Sequence, residues 1–116
     1  MNLSITRKSY GGGDNSWMGS RHGVANARTV TLDADAFTGL TDGVVPSGTP
    51  INVAGDLAVP FTDTAGAELA FVIGDQSVAE GDATVPALDH GRVIVDNVPG
   101  TFAAPATAVA GAFVFV

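Results

Sequence analysis

The sequence lacks cysteine altogether, which excludes a disulfide framework and a thiolate zinc site. Charged residues are also scarce, at 15% of the chain, while hydrophobic residues reach 46%, a balance that argues against wholesale disorder. Five basic residues stand against twelve acidic ones. This argues against general nucleic-acid binding, which needs cations to displace counterions. A chain of 116 residues is long enough for one domain with a sizeable core, with or without a tail.

Catalytic signatures are missing as well. No serine lies in a Gly-x-Ser-x-Gly elbow or in a Ser-x-x-Lys pattern, and the only imidazoles are His22 and His90. His90 follows Asp89, but adjacent residues of a strand face opposite sides, so we expect a turn residue rather than an oriented general base. We therefore predict that the protein is not an enzyme and has no metal site and no cofactor.

The few basic residues are concentrated near the N terminus. Residues 1–28 carry four bases and one acid, a net charge of +3, whereas residues 29–116 carry one base and eleven acids, a net charge of −10; together these give the formal −7. We therefore divide the chain into an extended N-terminal arm, 1–28, and a body, 29–116. Such asymmetry indicates a basic segment that docks on an acidic surface, either of a partner or of its own body.

Short strand signals separated by turns run along the chain. Alternation in residues 2–9 is typical of a strand, and a glycine triplet, 11–13, then suits a flexible linker. The further β-type segments are 28–33, 57–61, 67–73, 91–98 and 113–116, with a turn at Pro46-Ser47-Gly48 and an acidic loop at 75–82. Helix formers other than alanine are scarce. This predicts a mainly β fold, either a small barrel or a sandwich, with at most one or two short helices, for one of which the alanine-rich segment 101–110 has room.

The uncharged segment 97–116 is about as long as a helix that crosses a bilayer. Pro99, Gly100, Pro105 and Gly111 interrupt it, and no basic residue flanks it. We therefore expect a buried strand at its end, 113–116, and no membrane partner.

The order of these parts resembles a known family. A Val-Pro-Ser-Gly-Thr-Pro-Ile turn at 45–51 precedes an apolar segment at 67–73, and the chain ends on an apolar strand. With the strand-forming arm, this order is similar to the head decoration proteins of tailed bacteriophages, the family of the lambda capsid-stabilising protein. Leu-Ser-Ile-Thr-Arg-Lys at 3–8 and Ser-Trp-Met-Gly-Ser at 16–20 resemble versions from phages of actinobacteria. The chain departs from the family at 101–110, which is alanine- and proline-rich where members carry a clearer helix.

The resemblance implies a small irregular, tulip-like β-barrel with an extended N-terminal arm. It also implies a homotrimer without enzymatic activity, made in the host bacterial cytoplasm and located on the exterior of the virion. Such trimers bind the expanded head at local threefold sites and cement the major capsid protein, often by adding a strand of the arm to it. The residues expected to bind the capsid are Leu3 and Ile5 through apolar contacts, Arg7, Lys8 and Arg21 through carboxylates, and Trp17 as an anchor. On this view, removal of residues 1–20 leaves a folded trimer that no longer binds capsids.

Two alternatives stay open. Trp17 either packs onto the body or anchors a partner, because it lies outside any periodic segment. The function is alternatively that of a small virion-surface or extracellular module that binds carbohydrate or another ligand. Sugar sites usually use exposed aromatic platforms, and residues 29–116 contain no tryptophan or tyrosine, since Tyr10 and Trp17 both lie in the arm.

Overall fold

The computed structural model describes residues 14–20, 27–100, 102–105 and 112–116. Within these ranges the protein is mainly β, with a curled, half-barrel sheet and no long helix, which confirms the predicted fold class. The described strands are β1 (Arg28–Leu32), β2 (Val44–Val45), β3 (Pro50–Asn52), β4 (Val59–Pro60), β5 (Leu69–Val72), β6 (Gln76–Ser77), β7 (Ala83–Leu88), β8 (His90–Val93) and β9 (Ala112–Phe115). One-turn 3-10 helices lie at Ala34–Ala36, Thr41–Gly43 and Val95–Asn97.

An isolated bridge connects the two edges of the curled main sheet. Its five strands lie in the order β1-β7-β5-β3-β4. Leu32, at the end of β1, forms a parallel bridge with Ala58, which directly precedes β4 at the opposite edge. The Ala58 N–H donates to the Thr31 carbonyl at 2.7 Å, and the Asp33 N–H donates to the Ala58 carbonyl at 2.9 Å. These bonds join the first strand of the sheet to the chain beside its last strand.

β5 divides the core into two clusters, because all four of its residues are buried and successive side chains point to opposite faces. Ala70 and Val72 belong to the first cluster, together with residues of β1, β3 and β7. Leu69 and Phe71 belong to the second cluster. The other buried members of the second cluster are Trp17, Leu88, Val93, Val98 and Phe113.

β7 is an interior strand although it contains a proline, and the sequence analysis predicted no strand there. The Pro86 carbonyl accepts a hydrogen bond from the Ile73 N–H at 3.1 Å. Proline has no N–H with which to return the second bond of such an antiparallel pair. The side chain of Gln76 takes that place, since its Nε2 donates to the Ile73 carbonyl at 2.8 Å. A side-chain amide therefore replaces the missing backbone donor.

The predicted turn between β2 and β3 is present. The Thr49 N–H donates to the Pro46 carbonyl at 3.1 Å, and Gly48 has φ +87° at the third turn position, where a type II turn requires a positive φ. The segment 75–82, predicted as a loop, is a loop only in part, because it contains β6, which pairs with β2.

The C-terminal strand β9 pairs in parallel with β8. Phe113 is buried in the second cluster, whereas Val114 and Val116 are 51% and 58% exposed. The expectation of a buried C-terminal strand is therefore right for Phe113 and wrong for the two valines. The helix predicted in 101–110 falls mostly outside the described residues. In the described ranges, no helix is long and apolar enough to cross a membrane.

Candidate functional site: the root of the N-terminal arm

Residues 14–20, here called the arm root, are a described part of the predicted arm, and they form a turn instead of an extended chain. The Asp14 carboxylate accepts a hydrogen bond from the Ser16 N–H at 2.9 Å, and the Met18 N–H donates to the Asn15 carbonyl at 3.0 Å. Hydrogen bonds from the Ser16 side chain and backbone lower the pKa of Asp14 below its ordinary value. The turn is thus closed by its own backbone and side chains.

The arm root pairs with the edge of β8. Met18 forms an antiparallel bridge with Val93. The backbone hydrogen bonds beside this bridge run from the Ile94 N–H to the Trp17 carbonyl at 2.7 Å and from the Gly19 N–H to the Arg92 carbonyl at 2.9 Å. β8 therefore lies between β9 on one side and the arm root on the other.

Trp17 is fully buried in the second core cluster. Its indole stacks on Phe71, with ring centroids 5.5 Å apart and an interplanar angle of 27°. Phe71 also meets Phe113 edge to face at 5.0 Å. The side chain has no exposed surface, so in this structure it is not available as an anchor, and its expected contact with the capsid stays a prediction. The alternative, that Trp17 packs onto the body, is confirmed.

Ser47 connects the arm root to the turn between β2 and β3. This buried hydroxyl accepts hydrogen bonds from Trp17 Nε1 at 3.1 Å and from the Gly74 N–H at 3.0 Å, and it donates to the side-chain oxygen of Asn15. The Ser47 N–H donates to the Asp75 carboxylate at 2.9 Å. One donor and two acceptor sites are all that a hydroxyl has, so this side chain is completely satisfied.

Gly48 lies directly beneath the indole. A Cβ atom at this position would lie 2.5 Å from Trp17 Cδ1, a distance that real Cβ contacts do not show. The Pro-Ser-Gly turn, the segment most typical of the resemblance above, is therefore the floor of the Trp17 site. The sequence displays both parts, but nothing in the local pattern links the tryptophan to the turn.

The remaining predicted capsid-binding residues are Leu3, Ile5, Arg7, Lys8 and Arg21, and all of them lie outside the described residues. Their roles stay predictions, as does the boundary at residue 28. The expectation that a body lacking residues 1–20 folds unchanged does not fit the structure, because that deletion removes Trp17 from the core. A deletion that ends at residue 13 leaves every described contact in place.

Arg28, which was counted with the arm, contacts the body. Its guanidinium lies 3.7 Å from the Glu68 carboxylate and donates to the Val53 carbonyl at 3.4 Å. Both charged side chains are about half exposed, so the pair adds little stability. The contact nevertheless places one arm cation against the acidic body.

Asp89 and His90 interact, contrary to the sequence analysis. His90 Nδ1 lies 2.8 Å from Asp89 Oδ1, because Asp89 falls between β7 and β8 and its side chain is not constrained by strand alternation. Both side chains are partly exposed. Among the described residues, no group of three or more His, Cys, Asp or Glu side chains is arranged to hold a metal ion.

The arm root is a fixed attachment rather than a pocket. Its buried groups bond within the protein, and its backbone pairs with the β8 edge, so residues 14–20 hold a defined position on the body. Comparison with protein families, with curated proteins and with solved structures finds no match for this chain.

Proposed function

We propose that the protein is a capsid decoration protein of a tailed bacteriophage. It binds the exterior of the expanded head as a homotrimer at local threefold sites. It stabilises the shell by mass action, because it binds the mature shell through contacts between its N-terminal arm and the major capsid protein.

The observation that carries this proposal is the anchoring of the arm root in the core. An arm that cements a shell needs a root that keeps its position on the body when the partner holds its other end. Trp17 is fully buried, and losing such a side chain costs about 3–5 kcal/mol. A surface ion pair contributes only about 0.2–1 kcal/mol, so a charged attachment would be far weaker.

The sequence that precedes the arm root suits a strand that is added to a partner. The sequence of residues 2–9 alternates, so that in a strand Leu3 and Ile5 would lie opposite Ser4 and Thr6, and Arg7 and Lys8 supply positive charge. Measured from a root at residue 14, thirteen extended residues span at most roughly 45 Å. That length is sufficient to cross from one subunit to its neighbour.

An apolar strip on β9 supports the trimer. Val114 and Val116 are more than half exposed, and in the described part of the chain no strand pairs with the outer edge of β9. Exposed apolar edge strands are typical contact sites for another chain. No described feature favours the carbohydrate-binding alternative, since Trp17 is buried and Tyr10 lies outside the described residues.

Binding to purified phage shells tests this function. The protein is mixed with expanded shells that lack decoration and, as a control, with unexpanded shells, and bound protein is measured after sedimentation. We expect saturable binding to expanded shells only, and a solution mass near three times 11.6 kDa. A monomeric mass, or equal binding to both kinds of shell, contradicts the proposal.

A further inference from the structure

An open groove of about 460 Å³ lies beside the arm root. Its apolar side chains are Leu40 and Val44, which are partly buried, and Pro46, which is exposed. Two exposed carboxylates, Asp42 and Asp75, also line it, and none of its described lining residues is basic. The groove therefore suits a ligand that is both apolar and cationic.

The groove is joined to the arm root through one residue. Ser47 follows the groove residue Pro46, its N–H donates to the groove residue Asp75, and its hydroxyl donates to Asn15 of the root. Asn15, one residue after the first described residue, therefore lies next to the Pro46–Asp75 end of the groove. Between Lys8 and Asp14 the chain spans at most roughly 20 Å when extended, and the glycine triplet in this interval suits a sharp reversal.

The N-terminal segment matches the groove in chemistry. Residues 2–9 contain two branched aliphatic side chains, Leu3 and Ile5, followed by two adjacent cations, Arg7 and Lys8, and no acid. The groove presents aliphatic surface and two carboxylates. Arg28 already gives one example of an arm cation that lies against a body carboxylate.

We propose that residues 2–9 of the free protein bind in this groove of the same chain, with the aliphatic side chains against Leu40 and Val44 and the cations beside Asp42 and Asp75. The tether gives the segment a millimolar effective concentration at the groove, so weak contacts are sufficient. The inference concerns the free protein and does not depend on the proposed function. If that function is correct, a partner displaces the segment from the groove when it takes the arm.

A spin label tests the proposal directly. The chain has no cysteine, so Ser4→Cys gives a single attachment site for a nitroxide on the full-length protein. We expect the label to broaden the amide NMR signals of Leu40–Val44 more than those of the other surface loops. The excess broadening falls in about 0.5 M salt, where charge interactions are screened within a few ångströms.

Two variants locate the contact. Asp42 has φ 55°, a conformation that asparagine tolerates, so Asp42→Asn removes one groove charge without changing the backbone. Asp42→Asn is expected to reduce the excess broadening roughly two- to fivefold, because loss of one exposed ion pair lowers the binding constant by about that factor. Asp63→Asn, at an exposed position outside the groove, leaves the broadening unchanged.

Three results overturn the proposal. The first is broadening no greater at the groove than elsewhere on the surface. The second is an equal effect of Asp42→Asn and Asp63→Asn. The third comes from a mixed sample, in which the nitroxide is on unlabelled protein and the signals are read from isotope-labelled protein without nitroxide. Broadening of undiminished size in that sample assigns the groove to the arm of a second copy.

Discussion

The indole of Trp17 lies on the one turn residue that has no side chain, Gly48, so closely that a Cβ atom there would be 2.5 Å from Trp17 Cδ1. Gly48 also has φ +87°, which only glycine adopts without strain. Glycine is therefore required at this position for two reasons: the type II turn needs a positive φ, and the indole needs the space that a side chain would fill. The contact joins the arm root to the body.

A matched pair of glycine-to-alanine substitutions distinguishes the cost of backbone strain from the cost of steric overlap with Trp17. Gly66 has φ +85° and open space around it, so Gly66→Ala adds only backbone strain, about 1–2 kcal/mol. Gly48→Ala adds the same strain and overlaps with Trp17, and we expect it to cost about 2 kcal/mol more. Urea unfolding at one protein concentration measures both, and the emission of the sole tryptophan should shift to the red only in Gly48→Ala. Equal stabilities for the two variants would contradict the close contact.

Removing the Ser47 hydroxyl leaves two buried donors, Trp17 Nε1 and the Gly74 N–H, without an acceptor. We expect Ser47→Ala to lower the free energy of unfolding by about 3 kcal/mol, since each unsatisfied buried donor costs about 1–3 kcal/mol. Ser77→Ala is the control, because the Ser77 hydroxyl accepts one exposed hydrogen bond, from Ala79. Similar losses of unfolding free energy in the two variants would show that the buried hydrogen bonds of Ser47 contribute no more stability than one exposed hydrogen bond.

Gln76 and Pro86 should be coupled in stability. Gln76→Ala removes the donor to the Ile73 carbonyl and is expected to cost about 1 kcal/mol. Pro86→Ala supplies a backbone N–H opposite the same carbonyl, so Gln76→Ala should cost less in the Pro86→Ala background. A double-mutant cycle measures the coupling. Strict additivity would mean that the Gln76 amide does not substitute for the proline.

Acid should weaken the turn of the arm root. The pKa of Asp14 is lowered by hydrogen bonds from the Ser16 side chain and backbone, so the folded state favours the ionised carboxylate. The resulting contribution is fully present above the pKa of the unfolded chain and is lost as the pH falls through the lower folded value. Carboxyl NMR titration of Asp14 in folded and urea-unfolded protein measures the difference. A folded pKa equal to or above the unfolded one is the contrary result.

Local patterns in the sequence were sufficient to predict several strands and one turn of the body. Alternation and turn residues predicted β1, β5 and the turn at Pro46-Ser47-Gly48, because these features depend on neighbouring residues. β7 was not predicted. Its Pro86 is unfavourable in an interior strand, and the compensation by Gln76 comes from ten residues away along the chain. A local pattern contains no information about such a partner.

The site was harder to predict than the fold for the same reason. Trp17 lies in a polar, glycine-rich segment, and its apolar surroundings come from Phe71 and Phe113, far along the chain. The sequence therefore left both packing and docking open for Trp17. The three-dimensional contacts show that Trp17 packs onto the body, and they make residues 14–20 part of the folded structure.

The most direct test of this account is the occupancy of expanded shells by protein that lacks residues 2–13 but keeps the arm root. Because Trp17 and its contacts remain, the account predicts circular dichroism and tryptophan emission like those of the full-length protein. It also predicts that shell binding, measured by sedimentation, falls to background. Full occupancy by the folded, truncated protein would contradict the claim that the arm holds the shell.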